Sequence, residues 1–242
     1  MTNIIFDKLE EFRVYLQKKI GIINKVIWGI ILLIIFILIV LKYRRVHNSQ
    51  RIFIKSSNNL QKYSKTIRYD SIPDSKEKLQ FAYSVWVYLD NTPNHAQRQE
   101  GSDKFYPILS KRHSDYINGS PGLYYKPETA QLMITMKTTQ MNKYPLAHID
   151  IQRWVNIVIV LEDRSLDVYI NGKLYRSLFL DNVADIGKGD LYIGKKKSSI
   201  YGDISYLRYF NHSLTSHQVE KLYNETDKKD PTPGLLWWLT SP

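Results

Sequence analysis

Residues 167–177 read DVYINGKLYRS, a stretch where turn chemistry sits between two runs of strand-forming residues. Asn171-Gly172 supplies the two positive-φ residues that a type I′ turn requires, so Ile170 is expected to pair with Lys173 across a two-residue hairpin. That register sets Tyr169 opposite Leu174 and Asp167 opposite Arg176, the second pair joining opposite charges. Just upstream, residues 154–161 (WVNIVIVL) are apolar at nearly every position, the pattern of a central strand covered on both faces.

The same chemistry recurs outward from the hairpin. Residues 81–89, 105–111, 122–126, 131–137, 166–170, 173–180, 190–194 and 204–210 each carry β-branched or aromatic side chains between turn formers. Many strands at short spacing predict an all-β antiparallel sandwich or jelly roll over residues 71–226. After residue 210 the period changes. Thr215 and Gln218 form a capping box, Leu214 and Val219 occupy the staple positions around it, and Val219, Leu222 and Tyr223 make one stripe. A short helix over 216–224 should therefore lie against the sandwich.

The 242 residues, 43% hydrophobic, suffice for one sizeable domain and an appendage. The appendage is N-terminal. Residues 26–41 (VIWGIILLIIFILIVL) hold no ionisable side chain, and extension back to Ile20 gives a helix of roughly 33 Å, enough for the hydrocarbon core of about 30 Å. A transmembrane helix is expected over 20–41, behind a polar segment 1–19, with Lys25 snorkelling toward headgroups. Lys18 and Lys19 flank it on one side, and Lys42, Arg44 and Arg45 on the other. The second flank is denser and free of acids, which favours a cytoplasmic or interior sandwich. Residues 42–70 read as a basic stalk, with a first strand around 51–55 or 66–69. The net charge of +11 thus points to a lipid bilayer, not to nucleic acid. The chain lacks cysteine, which excludes a disulfide scaffold and a thiolate nucleophile. The tail, 227–242, carries Trp237-Trp238 and reads as a sandwich cover or an interfacial contact.

The ordered segments FAYSVWVYL, SPGLYYKPETAQLMITM, IQRWVNIVIVLEDRSLDVYINGKLYRS, GDLYIG and YGDISYLRYFNHSLTSHQVEKLY resemble the laminin-G-like jelly roll of the concanavalin-A-like lectin/glucanase superfamily. The versions with an N-terminal membrane anchor in large DNA viruses are the most similar. The resemblance implies a sandwich with a bias toward glycan or protein binding, and virion or capsid proteins as possible partners.

Catalytic chemistry finds little support. Paired glycosidase carboxylates must flank one bond about 5.5 Å apart, and the sequence holds no E-x-D-x-E or E-x-D-x-x-E. Glu162, Asp163 and Asp167 come nearest, two in a turn and the third opposite Arg176. Calcium, which related domains bind at loop edges, could draw on Asp115 and Asn118 or on Asp103 and Asp190, yet these form no spaced ligand run; otherwise no cofactor is implied. The recognition candidates are Tyr116, Asn118, Tyr124 and Tyr125, aromatic rings beside an amide-bearing loop, though Tyr124 and Tyr125 alternate in a strand and one should be buried. Trp86 and Trp154 read as packing residues. Asn118, Asn211 and Asn224 each begin an N-x-[ST] sequon. A membrane-anchored, non-catalytic binding module follows as the expectation. Its alternatives are a structural tether joining a membrane to a protein shell and, further off, a glycoside hydrolase.

Overall fold

A computed structural model of the chain describes residues 2–75, 79–90, 104–112, 117–196, 198 and 200–227. It falls into two compact units, residues 1–48 and residues 49–242.

The first unit is one helix, α1 (Thr2–Ser49), 48 residues long. The segment 1–19, expected to stand apart, is helical from Thr2 because Leu, Glu, Gln, Lys and Phe dominate it without a proline. Every described side chain from 27 to 39 is exposed, all round the helix. Among the described residues, however, no helix is long and apolar enough to cross a membrane. The described apolar stretch, 27–41, rises roughly 22 Å at about 1.5 Å per residue, short of a core of about 30 Å. The expected span over 20–41 is therefore not met: the side chains of residues 21–23 and 26, which it needs, lie outside the described residues.

The second unit is the expected sandwich. A seven-stranded antiparallel sheet is ordered β1 (Gln50–Ile52), β13 (Gly202–Phe210), β4 (Gln80–Leu89), β9 (Trp154–Glu162), β10 (Ser165–Ile170) and β11 (Lys173–Phe179), with β2 (Asn58–Asn59) also on β13. A six-stranded sheet is ordered β3 (Lys65–Ile67), β12 (Leu191–Ile193), β5 (Tyr106–Lys111), β6 (Gly122–Lys126), β7 (Gln131–Lys137) and β8 (Met141–His148). All the strands expected between 81 and 210 are present, their ends within two residues of the prediction.

Alternation builds the core. Phe81, Tyr83, Val85, Val87 and Leu89 of β4 and Val155, Ile157, Ile159 and Leu161 of β9 point between the sheets, where they meet Leu109, Leu123, Tyr125, Leu132 and Ile134. The other face of β9 is also dry. Val158 and Val160 pack with Ala82, Tyr169 and Phe210 beneath α2 (Ser216–Asp227), which brings Val219 and Leu222, with Leu214 just ahead of it. The cap forms as its residues predict: Thr215 N–H donates to Gln218 Oε1 at 2.8 Å, and Gln218 N–H donates to Thr215 Oγ1 at 3.3 Å. Tyr223 stacks on the buried Trp86 at 5.5 Å.

The hairpin departs from expectation at one point. Asn171 and Gly172 take φ of 50° and 77°, and the pairs Ile170 with Lys173 and Tyr169 with Leu174 are in place. A bulge then adds one residue to β11, so Val168 opposes Arg176 and Asp167 opposes Ser177. Asp167 accepts the Ser165 and Ser177 hydroxyls, while Arg176 Nη1 donates to the Pro145 carbonyl at 3.0 Å. The charge pair Asp167–Arg176 is thus corrected.

Two further elements differ. The stalk expected over 42–70 continues α1 to Ser49 and then supplies β1, β2, β3 and a 3-10 turn, Tyr69–Ser71, all integral to the sandwich. Strand β8 went unpredicted because Pro145 argues against a strand; the edge of a sheet is where proline is tolerated. The tail beyond Asp227 lies outside the described residues.

Thr215→Ala, which deletes one half of the cap, should destabilise the sandwich by about 1 kcal/mol. Chemical denaturation of the full chain in detergent, followed by tryptophan fluorescence, measures it; an unchanged midpoint would mean that the cap contributes nothing.

Candidate functional site

Of the residues expected to form a recognition loop, Tyr124 and Tyr125 are not at the surface. Tyr124 is buried, its hydroxyl accepting the Gly119 N–H at 2.9 Å and sharing a hydrogen with Ser110 Oγ at 3.0 Å. Tyr125 belongs to the core between the sheets, where burial pushes its hydroxyl up to about 12. Both rings are therefore structural: β6 is covered on one face by the opposite sheet and on the other by its own preceding loop. Asn118 is exposed, and Tyr116 lies outside the described residues. Of the flanking basic residues, Lys18 and Lys19 are exposed on α1, and the side chains of Lys42, Arg44 and Arg45 lie outside the described residues.

Of the calcium candidates, Asp190 has a partner within the fold. Asp190 Oδ1 accepts the Tyr69 N–H at 2.9 Å, a structural duty, and Asp103 and Asp115 lie outside the described residues. Among the described residues no three acidic or histidine side chains gather to hold a metal. Glu162 and Asp163 close the β9–β10 turn, Asp163 with φ 52°. Of the sequons, Asn211 is buried and donates its amide to the Asp74 carbonyl at 3.0 Å, whereas Asn118 and Asn224 are exposed.

A different constellation lines a cleft of about 390 Å³ at one margin of the sandwich. One wall is the segment from Tyr69 to Ser75; the other is the loop Ile186–Gly187–Lys188; Phe81, Lys111 and Tyr209 form its floor. Each wall is pinned. Asp190 holds the 3-10 turn at Tyr69, and Asn211 holds Asp74. The opposite loop wraps the Arg112 side chain so closely that a Cβ on Gly187, where φ is +45°, would sit 2.7 Å from the guanidinium. Asp185 anchors that loop by accepting from Arg112 Nη1 at 2.9 Å and Lys137 Nζ at 3.1 Å. The Arg112 hydrogen bond in particular holds the Asp185 carboxyl below its ordinary range.

Lys111 is the unusual member, only 4% exposed at the end of β5. Its ammonium donates to the carbonyls of Ile186 and Gly187, each at 3.0 Å, and lies 5.6 Å from the centre of the Tyr69 ring. Burial, with help from the neighbouring Arg112, lowers its pKa to about 8, while Asp74 and Asp185 act in the opposite sense. Tyr209, on the floor, rests on Tyr83 at 5.0 Å, and burial raises its pKa above the ordinary value, so its hydroxyl stays a neutral donor. The cleft thus offers an aromatic face, a phenol, an ammonium and the exposed Asp74 carboxylate, a set suited to a hydroxyl-rich ligand. None of these residues was legible as a site, because the Tyr69–Asp74 segment, Lys111, Ile186 and Tyr209 lie far apart in sequence and share no motif.

The fold, and the comparisons with known proteins, agree on class. The chain belongs to the concanavalin A-like lectin/glucanases superfamily, whose model matches residues 64–220. Among solved structures it is similar to an HCR/D mutant at TM-score 0.55 and 12% identity. It is similar also to the binding domain of botulinum neurotoxin serotype G (0.51, 16%) and to that of botulinum neurotoxin DC in complex with rat synaptotagmin II (0.52, 15%). In each case 73% of this chain is covered, but only 45–46% of the other, so the likeness spans about half of those domains. A search of curated proteins finds no match.

The Lys111 shift has a stability consequence. The folded chain releases this proton near pH 8 and the unfolded chain near 10.5, so stability should climb between those values. Above about pH 10 the buried tyrosines act oppositely, since unfolded phenols ionise first. Lys111→Met should flatten the rise between pH 8 and 10 in denaturation midpoints of the full chain; an identical slope would refute the assignment.

Proposed function

We propose that this protein is a non-catalytic binding module that takes a saccharide, or a polar segment of a protein, in the cleft between residues 69–75 and 186–188. The observation that carries the reading is the company Lys111 keeps: a half-buried aromatic ring, a neutral phenol and an exposed carboxylate around a volume of about 390 Å³, within the range of small-ligand sites. The pinning of both walls supports it further, because a preformed site loses little entropy on binding. Absence of the glucanase carboxylate pattern from the sequence favours binding over hydrolysis. Neighbours that are themselves binding domains, one complexed with rat synaptotagmin II, are consistent with that class.

The same proposal assigns α1 to lipid. Exposed aliphatic side chains from 27 to 39 leave no polar face, which suits acyl chains better than water. On this view the helix holds the sandwich at a bilayer, as the resemblance to membrane-anchored viral proteins implies. The second reading is a tether joining a membrane to a protein shell such as a capsid, favoured by the same helix. Cross-linking in intact particles separates the two, since only the tether puts the sandwich against shell proteins.

Titration of the full chain in detergent with a panel of mono- and oligosaccharides tests the cleft. Lys188→Ala should weaken binding roughly tenfold, about 1.4 kcal/mol, without moving the melting temperature, and Tyr69→Ala should weaken it as much while lowering the melting temperature, because its ring also covers Lys111. Folded protein that binds no saccharide, or variants that bind as well as the parent, would defeat the saccharide reading. For the helix, replacing Ile34 and Ile35 together by Lys should shift the chain from the floating to the lipid-free fraction in vesicle flotation. Unchanged flotation would remove lipid as its partner.

A further inference from the structure

The two sheets do not end alike. Strands β1, β2 and β3 are two or three residues long, and β8 carries Pro145, so those margins offer little pairing. Strand β11 is the exception. It runs for seven residues without proline, and among the described residues it pairs with β10 alone. Almost its whole length is exposed: Leu174 at 53%, Tyr175 at 42% and Phe179 at 75%. Its outer side therefore presents backbone donors and acceptors beside an apolar strip.

Charge decides which partner fits. Lys173 and Arg176 are the only ionisable groups with a formal charge in the strand, and both are positive. Arg164 sits 4.5 Å over the Phe179 ring and adds a third cation at the far end. Asp167 on β10 is already committed to the Ser165 and Ser177 hydroxyls, and Asp181, two residues past the strand, accepts from Thr138 and Asn142. Arg176 Nη1 donates to the Pro145 carbonyl, and the side chain stays exposed, so its charge remains available beside the strand. A second copy of the chain would bring more cations to the same seam, an unfavourable cross-strand match. A segment rich in Asp or Glu would neutralise them.

From these features we infer that the outer edge of β11 is a docking surface for an extended acidic segment of a partner protein. The segment adds as a strand, with aliphatic residues over Leu174 and Phe179 and carboxylates near Lys173, Arg176 and Arg164. This site is separate from the Lys111 cleft and stands whether or not the cleft takes a saccharide. Main-chain bonding supplies the affinity, and the three cations supply the choice of partner.

Panning the full chain in detergent against a displayed library of random dodecapeptides tests the inference. Peptides that pair with β11 should show a clear excess of Asp and Glu and should protect the amides of 173–179 from hydrogen exchange. Arg176→Glu should weaken them at least about tenfold, the worth of one close charge pair reversed. Arg176→Ala should fall between that variant and the parent, a gradation that a mere folding defect would not give. Absence of acidic enrichment, protection elsewhere, or equal binding by Arg176→Glu would each overturn it. Concentration-dependent protection of 173–179 without peptide would assign the edge to a second copy. Protection that disappears when residues 231–242 are removed would assign it to the chain's own tail. Either result would also overturn it.

Discussion

The sandwich depends on one strand having no wet face. Residues Val155 to Leu161 of β9 are buried on both sides, with Ile157 and Ile159 in the space between the sheets and Val158 and Val160 under α2. A strand apolar on both faces could exchange its sides by a one-residue slip at little cost. Here a slip would move Asn156, whose amide bonds Ser84 and the Val85 carbonyl, into the core between the sheets. The register of β4, β9 and β10 is therefore fixed from the centre outward. The capped helix is part of that constraint, because without Leu214, Val219 and Leu222 the outer face of β9 would meet water.

That central constraint also explains where freedom appears. At β11, one strand beyond β10, the chain accepts a bulge after the Asn171–Gly172 turn and shifts Asp167 from Arg176 to Ser177. Burial enforces register where both faces are covered; at the margin, exposed side chains impose far less, and an extra residue is accommodated with added local twist. The same gradient leaves β11 with apolar side chains in solvent. On the opposite margin the chain closes itself, as the segment from Gln50 to Ser71 supplies short strands and a turn that cover both sheets.

Much of the sandwich was legible because its signals are local. A type I′ pair, an alternating run or a capping box acts over fewer than ten residues, and each of these formed as its residues predict. Strand β8 was not legible, since Pro145 reads as a breaker and only its place at an edge reconciles it. Tyr124 and Tyr125 failed as site residues for a tertiary reason. Alternation says that one of two adjacent strand residues faces outward, but not that the loop through Gly119 folds back over it. The length of α1 was missed because polar helix formers on either side of an apolar run carry no stop signal that composition alone reveals.

The cleft lies at the far end of that scale. Its parts come from the segment before β4 and the start of that strand, the end of β5, the approach to β12 and the end of β13, and they meet only because two antiparallel sheets bring those ends to one margin. Sequence shows Lys111 as the polar end of an apolar strand, the ordinary place for a solvated lysine. Folding instead surrounds it with two carbonyls and a ring, and burial then does to its proton affinity what no neighbouring residue in the sequence would suggest. A buried ammonium with such partners has two effects at once. It ties the 186–188 loop to the end of β5, and it lines the cleft with a charge that costs folding energy. An aliphatic residue in the same space would spare the cost of the charge but leave the Ile186 and Gly187 carbonyls without their donor, so the wall of the cleft and its charge come from one side chain.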